Sequence, residues 1–354
     1  MSIPYRLLVA VAIVFVLTVE SPAADQAPSD HVTATKSADG SKVSVKIDGQ
    51  PFAQYLIRPG HHPIVWPIYG PTGKPMTRQW PMAKRLPGEP TDHPHHRSLW
   101  FTHGNVNGQD FWTEGPPRKG QKPQSRCLTV HREFLKIESG REAVVATRND
   151  WLDDRGKKML EDRRTLRFGG DEDARWIDFD ITLSATEGPV TLGDTKEGTM
   201  GLRVAAPLAP DAKQGGRLVN SHGQVNDKAW SKPASWVDYS GPIRGETVGV
   251  CMMNHPSSFR YPTHWHARTY GLCAANPFGL RDFSGDPAIN GSYTIPRGES
   301  ITFRYRVLLH KRDAATAKLP EAFEAYVKQR RSCTNESAKS FPQFILFFTK
   351  YANT

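Results

Sequence analysis

The sequence predicts a mostly β protein, an antiparallel β-sandwich closed by one C-terminal helix. Three observations carry that expectation: apolar and polar residues alternate with period two in several runs, turn-forming dipeptides separate the runs, and one stretch alone shows a convincing helical pattern. Val43, Val45 and Ile47 alternate with Lys42, Ser44 and Lys46. Ile177, Phe179, Ile181 and Leu183 alternate with Asp178, Asp180 and Thr182, and Ile301, Phe303, Tyr305, Val307 and Leu309 with Thr302, Arg304, Arg306 and His310. Successive side chains on a strand point to opposite faces, so each run offers one apolar face to a core. Further strands are expected at 128–137, 142–151, 159–168, 190–192, 200–206, 247–253 and 269–274. The breaks between runs fall at Asp48-Gly49, Ser139-Gly140, Gly169-Gly170 and Arg297-Gly298. The helix is expected at 320–331, with Pro320 in its first turn and Phe323, Tyr326 and Val327 on one face. Many antiparallel strands with a single helix imply a sandwich.

The start of the chain reads as an export signal. Arg6 precedes an apolar run, 7–19, interrupted only by Thr18, and Ser21-Pro22-Ala23 supplies the small residues of a cleavage site. The run is too short to span a bilayer, which takes about 20 residues. The expected organisation is a signal peptide at 1–24, a sandwich domain at 25–312, a helix at 313–332 and a tail at 333–354 whose order is left open. The expected location is periplasmic or secreted, with no membrane span after signal removal. A composition of 38% hydrophobic and 23% charged residues argues for a globular chain. The net charge of +10 comes from basic residues scattered among acidic ones, dense only at Lys328-Gln329-Arg330-Arg331, so nucleic acid is not an expected partner. The four cysteines show no zinc-type spacing. Cys251 and Cys273 lie in apolar runs, as buried thiols or as one bridge between neighbouring strands. Oligomeric state cannot be read from the sequence.

Nine of the thirteen histidines fall in two windows, and this clustering is the main sign of a site. The first window runs from Gly60-His61-His62-Pro63 through Asp92-His93-Pro94-His95-His96-Arg97 to His103. The second holds His255, His264 and His266. His264 and His266 are two apart, so on a strand they share a face. Three such imidazoles can hold a divalent metal, and the set proposed from sequence is His95, His103 and His264. A third segment, Gly193-Asp194-Thr195-Lys196-Glu197-Gly198, puts three ionisable groups between glycines. A carboxylate there suits proton abstraction beside a sugar carbonyl or hydroxyl, with histidine as the complementary acid. Trp66, Trp80, Trp100, Phe101, Phe111 and Trp112 flank the first window, and Trp236, Tyr239 and Trp265 the second. Aromatic faces of this kind suit the apolar CH faces of sugar rings, or fill a core.

The strings Gly60-His-His-Pro, Asp92-His-Pro-His-His-Arg-Ser-Leu-Trp-Phe-Thr-His-Gly-Asn-Val-Asn-Gly, Gly193-Asp-Thr-Lys-Glu-Gly, Trp236-Val-Asp-Tyr-Ser-Gly-Pro, His264-Trp-His-Ala-Arg and Asn276-Pro-Phe-Gly resemble the family labelled "methane oxygenase PmoA". Its members are exported proteins of planctomycetes and related bacteria. The label is not an activity: the membrane subunit of that name is a multi-span helical protein, and this mature chain has no spanning segment. In strand content and size the chain is similar to the galactose-mutarotase-like supersandwich, in which a histidine acid and a carboxylate base act on a pyranose.

The leading expectation is therefore a carbohydrate-processing enzyme working by epimerisation, elimination or hydrolysis. Glu197 or Asp194 would be the base with Lys196 beside it, and His96, His103 or His264 the acid. Arg97, Arg203 and Asn276 would bind substrate, with His266, Trp100 and Tyr239 completing the site. The alternatives are a histidine-ligated metal-dependent oxygenase or hydrolase and a non-catalytic glycan-binding module.

Overall fold

Strand alternation reflects burial on one side, and most of the expected strands form where the pattern is clearest. The computed structural model describes residues 31–114 and 126–339, with side chains described to Gln329. Among these residues the strands are β1 (Val32–Lys36), β2 (Lys42–Ile47), β3 (Gln50–Leu56), β4 (Ile64–Ile68), β5 (Leu99–His103), β6 (Leu128–Glu138), β7 (Ala143–Leu152), β8 (Lys158–Gly170) and β9 (Ala174–Ser184). There follow β10 (Val190–Leu192), β11 (Gly198–Arg203), β12 (Arg217–Asn220), β13 (Trp236–Ile243), β14 (Glu246–Asn254), β15 (His264–Ala267), β16 (Leu272–Asn276), the helix α1 (Leu280–Ser284), β17 (Tyr293–Ile295), β18 (Ser300–Lys311) and the helix α2 (Leu319–Lys339).

Two eight-stranded antiparallel sheets make the sandwich. The first has the order β1-β2-β3-β4-β5-β11-β16-β15 and the second β12-β13-β14-β18-β9-β8-β7-β6, with β10 and β17 pairing separately. In the second sheet Phe303 pairs with Ile181, Tyr305 with Phe179 and Val307 with Ile177, so the alternating residues of β18 and β9 meet on one face. That face packs on Phe52, Tyr55, Leu99, Phe101, Met200 and Leu202 of the first sheet. Phe101 makes the contact concrete: its ring lies 5.6 Å from Phe303 and 6.5 Å from Phe179. Burying each such side chain is worth roughly 1.5–3 kcal/mol.

At the centre of the first sheet, β11 and β16 fall on the runs expected at 200–206 and 269–274, while β4 and β5 were not expected. All five residues of β5 and all five of β16 are buried, as are all six of β11. A strand covered on both faces has no solvent side, so period-two alternation disappears. These covered strands carry the site.

Helix α2 starts at Leu319 and runs past the expected end to Lys339, into the stretch read as a tail. Leu319 and Tyr326 pack against Trp236, Cys251, Met253 and Leu308 on the outer face of the second sheet. The short α1 was not expected; Gly285 ends it at φ +72°. Cys251 on β14 and Cys273 on β16 belong to different sheets and are free buried thiols, so no bridge joins neighbouring strands. The expected signal peptide, 1–24, and the end of the tail from 340 on, which carries an apolar run at 344–348, lie outside the described residues. Among the described residues no helix is long and apolar enough to cross a membrane.

Candidate functional site

Parity along the central strands decides which side chains can reach a ligand. Leu99 and Phe101 of β5, Met200 and Leu202 of β11, Cys273 and Ala275 of β16, and Trp265 of β15 enter the core between the sheets. Their neighbours Trp100, Leu272 and Ala274 form a second apolar cluster on the other face, with Ile64 and Trp112. Gly201 pairs with Trp100, and its missing side chain leaves room for the indole to lie directly over the backbone.

On this platform sits a cleft of about 270 Å³. The segment between β4 and β5 contributes His93, His95 and His96, and the one after β5 contributes Gly104, Asp110, Trp112 and Thr113. Thr195 and Glu197 come from the turn before β11, and His266, Tyr270 and Leu272 from β15, β16 and their connection. The three segments singled out by composition therefore share one cavity. Its size, just under the roughly 300–1,000 Å³ usual for small-molecule sites, suits a single ring.

The histidine loop is held by buried arginines. Arg78, 1% exposed, donates to the carbonyls of Asp92, His93 and His96 at 2.9, 2.8 and 3.0 Å and to Asp92 Oδ1 at 2.8 Å. Arg203 donates to Asp92 Oδ1 at 2.9 Å and to His96 Nδ1 at 3.1 Å. Tyr270, His93, His96 and Trp100 form a column of nearly parallel rings, with successive centroids 5.6, 4.6 and 5.5 Å apart.

The cleft's imidazoles have fixed polarity. Arginine only donates, so His96 Nδ1 is an acceptor and its proton sits on Nε2. Burial, with the charges of His95, Arg203, His93 and Arg78 adding to it, holds His96 well below the usual histidine range. His266 is the opposite tautomer: Nδ1 donates to the Lys196 carbonyl at 3.0 Å, which leaves Nε2 as an acceptor. Burial pulls His266 down to about 4 against that hydrogen bond. Both rings are neutral at pH 7, one offering a donor and the other a lone pair.

Glu197 is positioned by backbone contacts. Gly104 donates to the Glu197 carbonyl at 2.7 Å, and Thr195 Oγ1 donates to Glu197 Oε2 at 2.8 Å. Glu197 is partly exposed, and its Oε1 lies 4.0 Å from Lys196 Nζ.

Several residues expected at the site are elsewhere. His103 is an even number of steps from Phe101 on β5 and faces the core. There it packs on Phe278 at 5.1 Å, donates from Nε2 to the Gly193 carbonyl, and is brought by burial to about 4. Asp194 turns away from the cleft and accepts from the backbone of Arg281 and Gly291, and Lys196 extends into solvent. His264 shares a face with His266 as its spacing predicted, but stacks on Phe283 at 5.8 Å outside the cleft. His95, His103 and His264 are therefore not gathered as metal ligands. Among the described residues no three His, Cys, Asp or Glu side chains form a group that could hold a metal ion.

The expected substrate binders are also occupied. Arg97 pairs with Glu114 at 2.8 Å, and Arg203 is consumed by Asp92 and His96. Asn276 braces the turn by donating to the Thr195 carbonyl and accepting from Phe278 and Gly279. Tyr239 is fully buried and donates to the Leu272 carbonyl, and Trp100 underlies His96 without lining the cleft. Sequence reading missed Asp110, Tyr270 and Arg78. Asp110 follows Gly108 in the loop after the first window, where its Oδ1 accepts from the Trp112 and Thr113 backbones. A search of that loop for carboxylates would have found it.

A family model matches residues 42–324, most of the chain. The chain belongs to a family of unknown function (DUF6807). No curated protein matches it. Among solved structures, a galactose mutarotase-like protein from Clostridium acetobutylicum shares 8% identity over 79% of this chain and 98% of its own, with a TM-score of 0.33. A galactose mutarotase-like protein from Lactobacillus casei shares 9% identity over 79% and 100%, with a TM-score of 0.35. An α-galactosidase from Geobacillus stearothermophilus shares 9% identity over 79% of this chain and 41% of its own, with a TM-score of 0.36. The chain thus spans about two-fifths of that glycosidase, and likeness at these TM-scores carries no argument about activity.

Proposed function

We propose that this protein is an exported enzyme that processes a carbohydrate, by acid–base chemistry on one sugar ring. The observation that carries the reading is the convergence of the Glu197 carboxylate with two neutral imidazoles of opposite polarity in one small cleft. A sugar presents hydroxyls that both donate and accept, together with apolar CH faces. His96 Nε2–H meets an acceptor, His266 Nε2 meets a hydroxyl proton, and Trp112 and Tyr270 offer aromatic surface beside them. Glu197 is the base: it reaches the cavity, and its carboxylate has a hydroxyl donor on Oε2 that orients it. Epimerisation and elimination begin with loss of a sugar proton to such a base, and hydrolysis uses the base to activate water, so the reading covers these three.

The test is turnover of a panel of free aldopyranoses, uronic acids and p-nitrophenyl glycosides by the wild type and by Glu197→Gln. General base catalysis contributes about 10²–10⁴-fold, so the variant should lose at least about tenfold in kcat while still binding sugar. Unchanged turnover removes Glu197 from the mechanism. Sugar binding without turnover in the wild type reduces the protein to a binding module.

A further inference from the structure

Asp92 and His93 form a pair to which the acid–base reading above assigns no task. His93 lines the cleft, and its side chain is 40% exposed there. Its Nδ1 lies 2.7 Å from Asp92 Oδ2. The other carboxylate oxygen, Oδ1, accepts from Arg78 at 2.8 Å and Arg203 at 2.9 Å. We propose that His93, oriented by Asp92, is the proton donor that works opposite Glu197 in this cleft; the assignment rests on the acid–base reading and adds a catalytic residue to it.

The geometry distinguishes His93 from its neighbours. A carboxylate bound by two guanidiniums is an acceptor only, so the proton between the pair belongs to His93 Nδ1. Nε2 is then the ring atom that exchanges a proton with a ligand, and among the described residues it has no hydrogen-bond partner. Burial opposes ionisation of Asp92, but the hydrogen bond from His93 and the charges of Arg203, His93 and Arg78 outweigh it and hold the carboxyl well below its usual range. An imidazolium formed at His93 therefore faces a fixed anion. His96 has a guanidinium on its bonded nitrogen and His266 a carbonyl, so neither has that support.

The surroundings also fix the ring. His93 is clamped between Tyr270 and His96, with interplanar angles of 4° and 3°. Its backbone is held at φ +46°, a left-handed conformation that costs a non-glycine residue energy, while Arg78 and the His96 amide both bond its carbonyl. Strain of this kind persists only where the surroundings over-determine it, and it clusters at functional sites.

Glu197 takes a proton from a sugar O–H or C–H as a C=O or C=C bond forms and a C–O bond breaks; in hydrolysis it takes the proton from the attacking water, whose oxygen bonds to the sugar carbon. His93, as the imidazolium, gives its Nε2 proton to the departing or opening oxygen and is left as the neutral Nδ1–H ring. Asp92 stays ionised throughout, and return of both protons resets the pair.

Two measurements on the full chain test this. Long-range proton–nitrogen spectra of nitrogen-15-histidine-labelled protein read the tautomer without any substrate. The wild type should show His93 as Nδ1–H. In Asp92→Asn the arginines keep the oxygen, the amide nitrogen donates to Nδ1, and the ring proton should move to Nε2. On the panel named above, His93→Gln and Asp92→Asn should each lose at least about a hundredfold in kcat with KM changed less than about threefold. A wild-type Nε2–H tautomer, an unmoved proton in Asp92→Asn, or a His93→Gln enzyme within about threefold of wild-type kcat each overturns the assignment. Expected tautomers in a wild type that turns over no sugar support the pair and overturn the carbohydrate reading instead.

Discussion

Arg203 holds His96 by its Nδ1, 3.1 Å from a guanidinium nitrogen, and so decides where that imidazole keeps its proton. The same arginine grips Asp92 and lies 4.7 Å over the Tyr270 ring, so one buried cation ties the histidine loop to β11 and to the β15–β16 connection. Arg203→Met should therefore destabilise the fold by about 1–3 kcal/mol, because His96 Nδ1 is left buried without its donor while Asp92 keeps only Arg78. Arg203→Lys should not restore it, because an ammonium cannot donate in two fixed directions at once. Urea unfolding of both variants measures this, and a lysine variant as stable as the wild type would contradict it.

Acid should weaken the protein through its buried histidines. His103 and His266 are both brought by burial to about 4, against an unfolded value of about 6.5. Between those values the unfolded chain binds protons that the folded chain refuses. The stabilisation is complete above about pH 6.5 and is lost as pH falls toward 4. Each histidine contributes a slope on the order of 1.4 kcal/mol per pH unit in that window. His103→Gln should lower the measured slope by about that amount, while leaving stability at pH 7.5 less affected than stability at pH 4.5.

His310 has the opposite sign. It lies on β18, with Nε2 2.8 Å from the fully buried Asp238 and Nδ1 3.1 Å from the Lys311 carbonyl. Burial works against protonation, but Asp238 and the backbone acceptors outweigh it and raise the histidine above its ordinary value. The folded state therefore holds a proton that the unfolded state releases. This stabilisation is complete below about pH 6.5 and is lost as pH rises through the folded value. Gly249 makes the pair possible, since a side chain there would occupy the space of the His310 ring. His310→Gln should flatten the alkaline limb of the stability profile. It should also cost roughly 3–5 kcal/mol at pH 6, because Asp238 is left buried without its cation. Denaturant midpoints at pH 6 and pH 9 give both numbers.

How much of this was legible in the sequence follows from what each pattern encodes. β9 and β18 were readable because one face of each meets the core and the other does not. β11 and β16 were found as the runs expected at 200–206 and 269–274, but β5, covered on both faces and without alternation, was missed, and with it part of the site's floor. The histidine clustering pointed to the right segments, since His93, His95, His96 and His266 line the cleft with Glu197. It could not sort His96 from His103, because that choice depends on strand parity and hence on knowing that β5 is a strand. The role of Arg78 was hard to see for a different reason: apart from the Asp92 carboxylate, its partners are backbone carbonyls of residues 92, 93 and 96, and carbonyls leave no trace in residue identity.

Two glycines in the loop after β5 separate positioning of the site from stability of the fold. A methyl group on Gly104 would lie 2.8 Å from the Glu197 carbonyl oxygen and 3.0 Å from Glu197 Cβ, with Thr195 Cγ2 at 3.4 Å. Those atoms belong to the turn that carries the base, and the Gly104–Glu197 hydrogen bond ties them to the loop. Gly104→Ala must therefore push that turn outward, and Glu197 with it. Gly108, four residues on, has φ +82° and nothing within 4 Å of an added methyl group. Gly108→Ala meets only the left-handed backbone penalty of roughly 1–2 kcal/mol and leaves the turn alone. On the sugar panel, Gly104→Ala should lose about tenfold or more in kcat, because small displacements of a catalytic group are costly. Gly108→Ala should keep wild-type kcat while its unfolding midpoint falls. If instead both variants lose activity in proportion to lost stability, the contact between Gly104 and Glu197 serves the fold and not the chemistry.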